Sequence, residues 1–330
     1  MSNFGTTDFY HEVRNGNVPG HSIVSKFGEN PDIDIAGGFE TIWDGGGVYV
    51  PPTQARIHDV ASSTAADAGT VLTTGSADAG DADQLVDATK DFVALGVALG
   101  DYVLNDDQIT FGIVLVVATT TLTLFGGMRN AHSGEVNGSN EDGDSYQVVT
   151  NASTGASILH IDGLDASRLD VHEFVVLNGT SNVATVNSYL RQNRARIFGP
   201  GTTGAAGTIT STAQTDGTLT CQVINGNNQT LMAVYSIPSN ATAYILSVWQ
   251  GLSKKQTTSS VSRLRLGQLD SIGFITHVRA LDNGGTSDVV HNYPGGLRMS
   301  GGLDMWMEAD ADANDTGVTA GFEVMLVENT

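Results

Sequence analysis

The sequence predicts an all-β protein, with tandem β-sandwich, jelly-roll-like domains, an inserted small β-barrel and an extended N-terminal arm. Three observations point there. Gly accounts for 40 of 330 residues, well above the ~7% average, and charged residues are 15% against the usual ~25%. Lys occurs four times, so exposed helix faces have little material. Apolar residues fall in short alternating runs broken by Gly, Asn, Asp and Ser, a strand-and-turn pattern rather than a helical stripe. Asp83–Lys90 is the best candidate for a short helix.

Residues 1–55 form the arm. They are broken by Gly, Pro and Asn yet carry Phe9, Tyr10, His21, Phe27, Phe39 and Trp43. With neither helical nor sustained strand periodicity, the segment is expected to lie extended along another surface and bury its aromatics there. The competing reading is an irregular cover over the protein's own sheet. The arm closes at Gly45-Gly46-Gly47 and Pro51-Pro52.

Residues 56–68 and 150–224 read as a first β-sandwich that 69–149 interrupts. Its strands include Ala55–Ala61, Ser157–Ile161, Glu173–Leu177, Val186–Leu190 and Thr218–Val223. Asn178-Gly179 after an apolar run predicts a hairpin turn into the following strand. Within 69–149, strands are expected near 96–104, 111–117, 120–124 and 143–150. Residues 57–167 hold sixteen acids against Lys90 and Arg129, so most of the formal charge of −21 sits here. That asymmetry predicts an acidic, outward-projecting insert. Residues 225–330 read as a C-terminal jelly-roll-like sandwich, with strands at Ala243–Trp249, Val261–Leu266, Ile272–Val278 and Gly321–Val327.

The run Val13–Gly28 (VRNGNVPGHSIVSKFG), followed by NPDID and FETIWDGGG, resembles the opening of a family of tailed-bacteriophage virion structural proteins. The resemblance continues at Ile161–Leu164, Val176–Thr180, Arg191–Ile197, Asn228–Val234, Ile237–Ile245 and the ending Ala309–Val327 (ADADANDTGVTAGFEVMLV). The phrases GDYVLN and GDSYQV resemble a small β-barrel module inserted in phage structural proteins. The resemblance implies a place in the virion, made in a host cytoplasm, and no particular chemistry.

The acidic balance argues against nucleic acid, which needs a basic face, and against anionic membranes. No signal peptide is expected from Met1-Ser-Asn-Phe, and no apolar run is long enough to span a bilayer. One cysteine, Cys221, rules out an internal disulfide and reads as a small buried hydrophobe. Gly199-Pro-Gly-Thr-Thr-Gly204 matches G-x-G-x-x-G but continues into a strand, so it is not read as a nucleotide loop. The eight histidines form no H-E-x-x-H and no Cys/His motif. No cofactor and no catalytic residue is expected, and a polysaccharide-degrading enzyme is disfavoured by the absence of a repeat.

Two surface features remain. Glu308, Asp310, Asp312 and Asp315 are a weak metal candidate: Asp310-x-Asp-x-Asn opens like a calcium loop, but the Gly and bidentate Glu that such a loop needs are missing. Their other reading is a solvated edge strand and turn. Arg191, Arg194 and Arg196 form the basic cluster of an acidic chain, either a docking island or an internal counterweight to nearby acids. The expected function is a capsid-decorating, head-fibre or head–tail accessory protein. It docks on capsid-shell or portal–tail proteins through its arm and forms a homo-oligomer, a trimer, through its β-domains. The alternative is a fibre or spike component that binds a host glycan.

Overall fold

The computed structural model describes residues 9–35, 38–78, 82–131, 136–138, 140–151, 153–198, 204–254, 260–267, 281–282 and 289–329. The protein is all-β, with several antiparallel sheets. The helix present among the described residues is Phe9–Arg14. Asp83–Lys90 is not helical: Gln84–Val86 is a strand and the rest is turn. Asp87 forces this, because its Oδ1 accepts from the Thr89 backbone N–H (2.8 Å) and hydroxyl (2.6 Å), a local bond that competes with helix. The expected strand Ile272–Val278 and the Gly199–Gly204 loop, except Gly204, lie outside the described residues.

The chain divides into two compact units: unit 1 is Met1–Ala55, Leu164–Asp170 and Leu231–Thr330, and unit 2 is Arg56–Gly163 and Val171–Thr230.

Unit 1 is a two-sheet sandwich. One sheet runs His21–Ile33, Thr316–Glu328, Ala241–Lys254, Val289–Met299 in spatial order. The other is built around Asp304–Ala311, flanked by Val234–Ser236 and Ser260–Gly267 and met at its end by Glu40–Thr41. Inward side chains of both sheets, among them Val24, Ile245, Phe322, Leu264 and Met307, make one apolar cluster. The N-terminal segment is extended, as expected, but it is a strand of this sandwich and not a free arm. His21 through Asn30 pair residue for residue with Val327 through Val318. Between the buried Val24 and Ile33, Lys26, Gly28 and Asn30 point inward and Phe27 outward. Gly28 is required by close approach: a Cβ there would lie 2.4 Å from the Ala233 nitrogen and 2.5 Å from the Ile42 oxygen. Asn30 Nδ2 donates to the Thr41 carbonyl (3.1 Å) and to Glu40 (3.2 Å), which satisfies its buried amide.

Unit 2 contains three sheets. Every strand of the largest comes from 71–149, the expected insert, and its core of Leu85, Phe92, Val103, Leu122, Tyr146 and Val148 is drawn from the same stretch. Strand Thr110–Val117 holds it together. One edge pairs with Tyr102–Asn105; the other pairs with Met128–Asn130 and then with Thr121–Leu124, with a register shift between Val114 and Val116 inside the second pairing. A four-stranded sheet runs Val183–Ala184, His58–Ser62, Ile209–Ala213, Leu219–Val223. A three-stranded sheet runs Asp170–Val176, Ile158–Leu164, Arg191–Phe198. Asn178-Gly179 does turn, with Gly179 at φ 61° and Ser181 N–H bonded to the Asn178 carbonyl at 3.1 Å. The expected hairpin is not formed: the next strand, Val183–Ala184, pairs with His58–Ser62 in another sheet. Val186–Leu190 is likewise not a strand.

Candidate metal centre

Strand Ile158–Leu164 is buried along its whole length, and its polar residues therefore need partners. The two-residue period puts His160 and Asp162 on one face. The neighbouring strand Asp170–Val176 brings His172 to the same place. Nδ1 of His172 lies 2.9 Å from Oδ1 of Asp162, and Nε2 of His160 lies 3.7 Å from that same oxygen. The two imidazoles are stacked, with centroids 6.1 Å apart and planes 12° from parallel. The three potential ligand atoms lie within 4.8 Å of one another. Phe174 (5.3 Å) and Phe198 (6.0 Å) pack against the His160 ring. His160 is fully buried, whereas the His172 side chain is 29% exposed. A carboxylate between two imidazoles against an aromatic wall can bridge them by hydrogen bonds or join them in holding a cation.

Sequence reasoning missed this centre because its residues come from two strands and match no contiguous motif. The available signal was His-x-Asp within the apolar run Ser-Ile-Leu-His-Ile-Asp-Gly-Leu.

The anticipated acidic site is not assembled. Both oxygens of Glu308 are engaged: Arg263 Nε donates to Oε2 and Trp306 Nε1 to Oε1, each at 2.7 Å, with Arg265 3.6 Å away. Asp312 and Asp315 are exposed on the following turn. Among the described residues, His160, Asp162 and His172 are the group of three or more ligand side chains that converges.

The aromatics of the first 55 residues separate into two sets. Phe9 packs edge-on to Tyr10 (5.7 Å) and His21 (5.9 Å), with Tyr10 43% exposed. Trp43 is buried against Tyr49 and donates to the Gly46 carbonyl at 2.8 Å, and Phe39 lies under the Arg263 guanidinium at 3.6 Å. Phe27 is half-buried. The basic cluster is also divided. Arg191 is 1% exposed and donates to the Leu190 carbonyl, so it lies inside the fold and is no docking contact. Arg194 and Arg196 share the opposite strand face, where Arg196 donates to the Ala131 carbonyl at 3.2 Å. Cys221 is buried, as expected, with its thiol 3.0 Å from Gln192 Oε1.

Two buried groups have displaced proton affinities. Burial pushes the Asp44 carboxyl up to about 7, against the pull of the Leu231 backbone bond and the Lys26 charge. Burial pushes the His58 imidazole down to about 4, while its nitrogens contact the Arg56 carbonyl (2.9 Å) and the Thr220 hydroxyl (2.7 Å).

No protein-family model and no curated protein matches the chain. Two solved structures from infectious bursal disease virus are similar over most of its length. The Gt-strain structure is 13% identical over 84% of this chain and 74% of that one, with a TM-score of 0.21. The Gx-strain structure is 8% identical over 85% and 74%, again with a TM-score of 0.21. Likeness at this TM-score assigns neither fold nor function.

Proposed function

We propose that this protein is a non-enzymatic structural component of a tailed-phage virion, a capsid-decorating, head-fibre or head–tail accessory protein that works by assembly. One observation carries the reading. Two segments that resemble such proteins, Val13–Gly28 and Ala309–Val327, meet as strand partners over His21–Gly28 and Ala320–Val327, with Val24 opposite Val324 and Gly28 opposite Ala320. These two stretches of the resemblance therefore meet in one sheet of unit 1. His21–Ile33 is an edge strand, and an edge presents backbone groups that a partner strand can continue. An aromatic corner of exposed Tyr10 and half-buried Phe9 stands at its start, against His21. In this reading docking uses that edge and corner, on a capsid-shell or portal–tail protein, while self-association, as a trimer, uses the sandwiches. The negative charge keeps densely displayed copies apart.

A glycan-binding role is the second reading. It is favoured by a groove of about 360 Å³ in unit 1, lined by Tyr10, Arg14, Asn292, Tyr293 and Glu323 among others, a mix of aromatic faces and hydrogen-bonding groups suited to sugars.

Mass spectrometry of gradient-purified, nuclease-treated and salt-washed particles tests the assembly role. Peptides of this chain are expected at a fixed ratio to the major capsid protein; their absence overturns it. Particle attachment that fails on Tyr10→Ala and Tyr293→Ala, with incorporation unchanged, would support the glycan reading.

A further inference from the structure

We propose that His160, Asp162 and His172 bind a divalent transition metal of the zinc class, which fastens strand Ile158–Leu164 to strand Asp170–Val176. This inference is independent of the assembly role. The donor set selects the ion: two imidazole nitrogens and one carboxylate oxygen suit Zn²⁺ and its neighbours, whereas Ca²⁺ and Mg²⁺ take all-oxygen shells.

The spacing fits as well. Bonds of about 2.0–2.1 Å in tetrahedral array place ligand atoms about 3.3 Å apart. The observed separations from Asp162 Oδ1, 2.9 Å to His172 Nδ1 and 3.7 Å to His160 Nε2, bracket that value. All three ligand atoms lie within 4.8 Å of one another, so a metal seated there must also draw the two imidazole nitrogens together, on side chains already held by strand backbone. Phe174 and Phe198 hold the His160 ring and keep water from it, and a dry wall strengthens a charged bond. The partly exposed His172 side marks where the ion enters and where a water completes the shell. Three protein ligands with one open position is a recognised zinc arrangement. The metal would replace the Asp162–His172 hydrogen bond by two coordinate bonds and draw in His160, which that bond does not reach.

The test uses the full chain, stripped with EDTA and titrated with Zn²⁺ or Co²⁺. One equivalent should bind per chain, the melting temperature should rise with free Zn²⁺, and Co²⁺ should give the visible absorption of a four-coordinate nitrogen–oxygen site. His172→Ala, at the partly exposed member, and the near-isosteric Asp162→Asn should each weaken Zn²⁺ binding at least tenfold and abolish the Co²⁺ spectrum. Absence of a thermal shift and of a Co²⁺ spectrum in the unmutated chain overturns the proposal. So does a Zn²⁺ response that survives in both variants, or one lost in Glu308→Gln but kept in His172→Ala.

Discussion

Unit 1 closes a sandwich with the two ends of the chain, whereas unit 2 gathers three sheets from the middle and pins them with carboxylates. In unit 1 one apolar cluster joins both sheets, and its strands are long: His21–Ile33, Ala241–Lys254 and Thr316–Glu328. In unit 2 the strands are shorter, and Asp side chains, Asp67 and Asp101 buried and Asp144 half-buried, tie loops and strand ends together. Asp67 is fully buried and accepts from the Ala156, Ala206 and Gly207 amides (2.7–2.9 Å) and from the Ser62 hydroxyl (2.6 Å). Asp101 accepts from the Ala98 and Asn151 amides, both at 2.8 Å. Asp144 binds Asn105, Gln108 and the Glu141 amide. The acidity of the middle of the chain is therefore not only a solvated face. Part of it is turn chemistry: Asp outnumbers Glu there because its short side chain reaches neighbouring backbone N–H groups.

This comparison can be broken most sharply at Asp67. Asp67→Ala leaves three amides and a hydroxyl without their acceptor and should cost about 5 kcal/mol. Peptide-resolved hydrogen exchange should show the loss in unit 2 and spare unit 1; a uniform loss would mean that the carboxylate does not act locally.

The next largest effect lies in unit 1. The folded-state pKa of Asp44 is raised, from 3.8 to about 7. The protonated carboxyl therefore contributes stability that is full below the unfolded value and is lost as pH rises toward 7. Asp44→Asn should remove that dependence and stabilise unit 1 at pH 8 by about 4 kcal/mol relative to the parent. Denaturant melts at pH 4 and pH 8 check this, and equal slopes with pH in the two proteins would refute it.

His58 in unit 2 has the opposite sign. Its folded pKa is lowered, from 6.5 to about 4, so the neutral ring contributes stability above the unfolded value that is lost as pH falls toward 4. The parent should lose about 3 kcal/mol over that window that His58→Gln does not. Melting-temperature profiles that stay parallel down to pH 4 would contradict it. The smallest effect belongs to the exposed Arg14–Glu323 pair at 2.8 Å. Arg14→Ala should change stability by less than about 1 kcal/mol, and a larger loss in a thermal melt would mean that the N-terminal helix is held mainly by charge.

In unit 2 the stretch 71–149 was legible outside Asp83–Lys90, whereas the hairpin expected after Asn178-Gly179 and the strand expected at Val186–Leu190 do not form. The hairpins of 71–149 join nearby strands, so alternation and turn residues identify Thr110–Val117, Thr121–Leu124 and Ser145–Val149 almost unaided. The N-terminal segment was illegible for two physical reasons. Its partner lies about three hundred residues along the chain, and between the buried Val24 and Ile33 its inward positions hold Lys26, Gly28 and Asn30 while Phe27 faces out. A burial pattern carried by polar residues cannot be read by hydrophobicity. The candidate metal centre was hidden by the same non-locality: one strand supplies His160 and Asp162, another supplies His172, and only pairing brings them together.

Amide hydrogen exchange of His21–Ile33 in the free, monomeric protein tests the account most directly. If the N-terminal segment is a strand of unit 1, every second amide of Ile23 through Asn30, those facing Val318 through Met325, should be strongly protected. Exchange of that segment at the rate of an unfolded chain, with Thr316–Glu328 still protected, would contradict the account and restore a free docking arm.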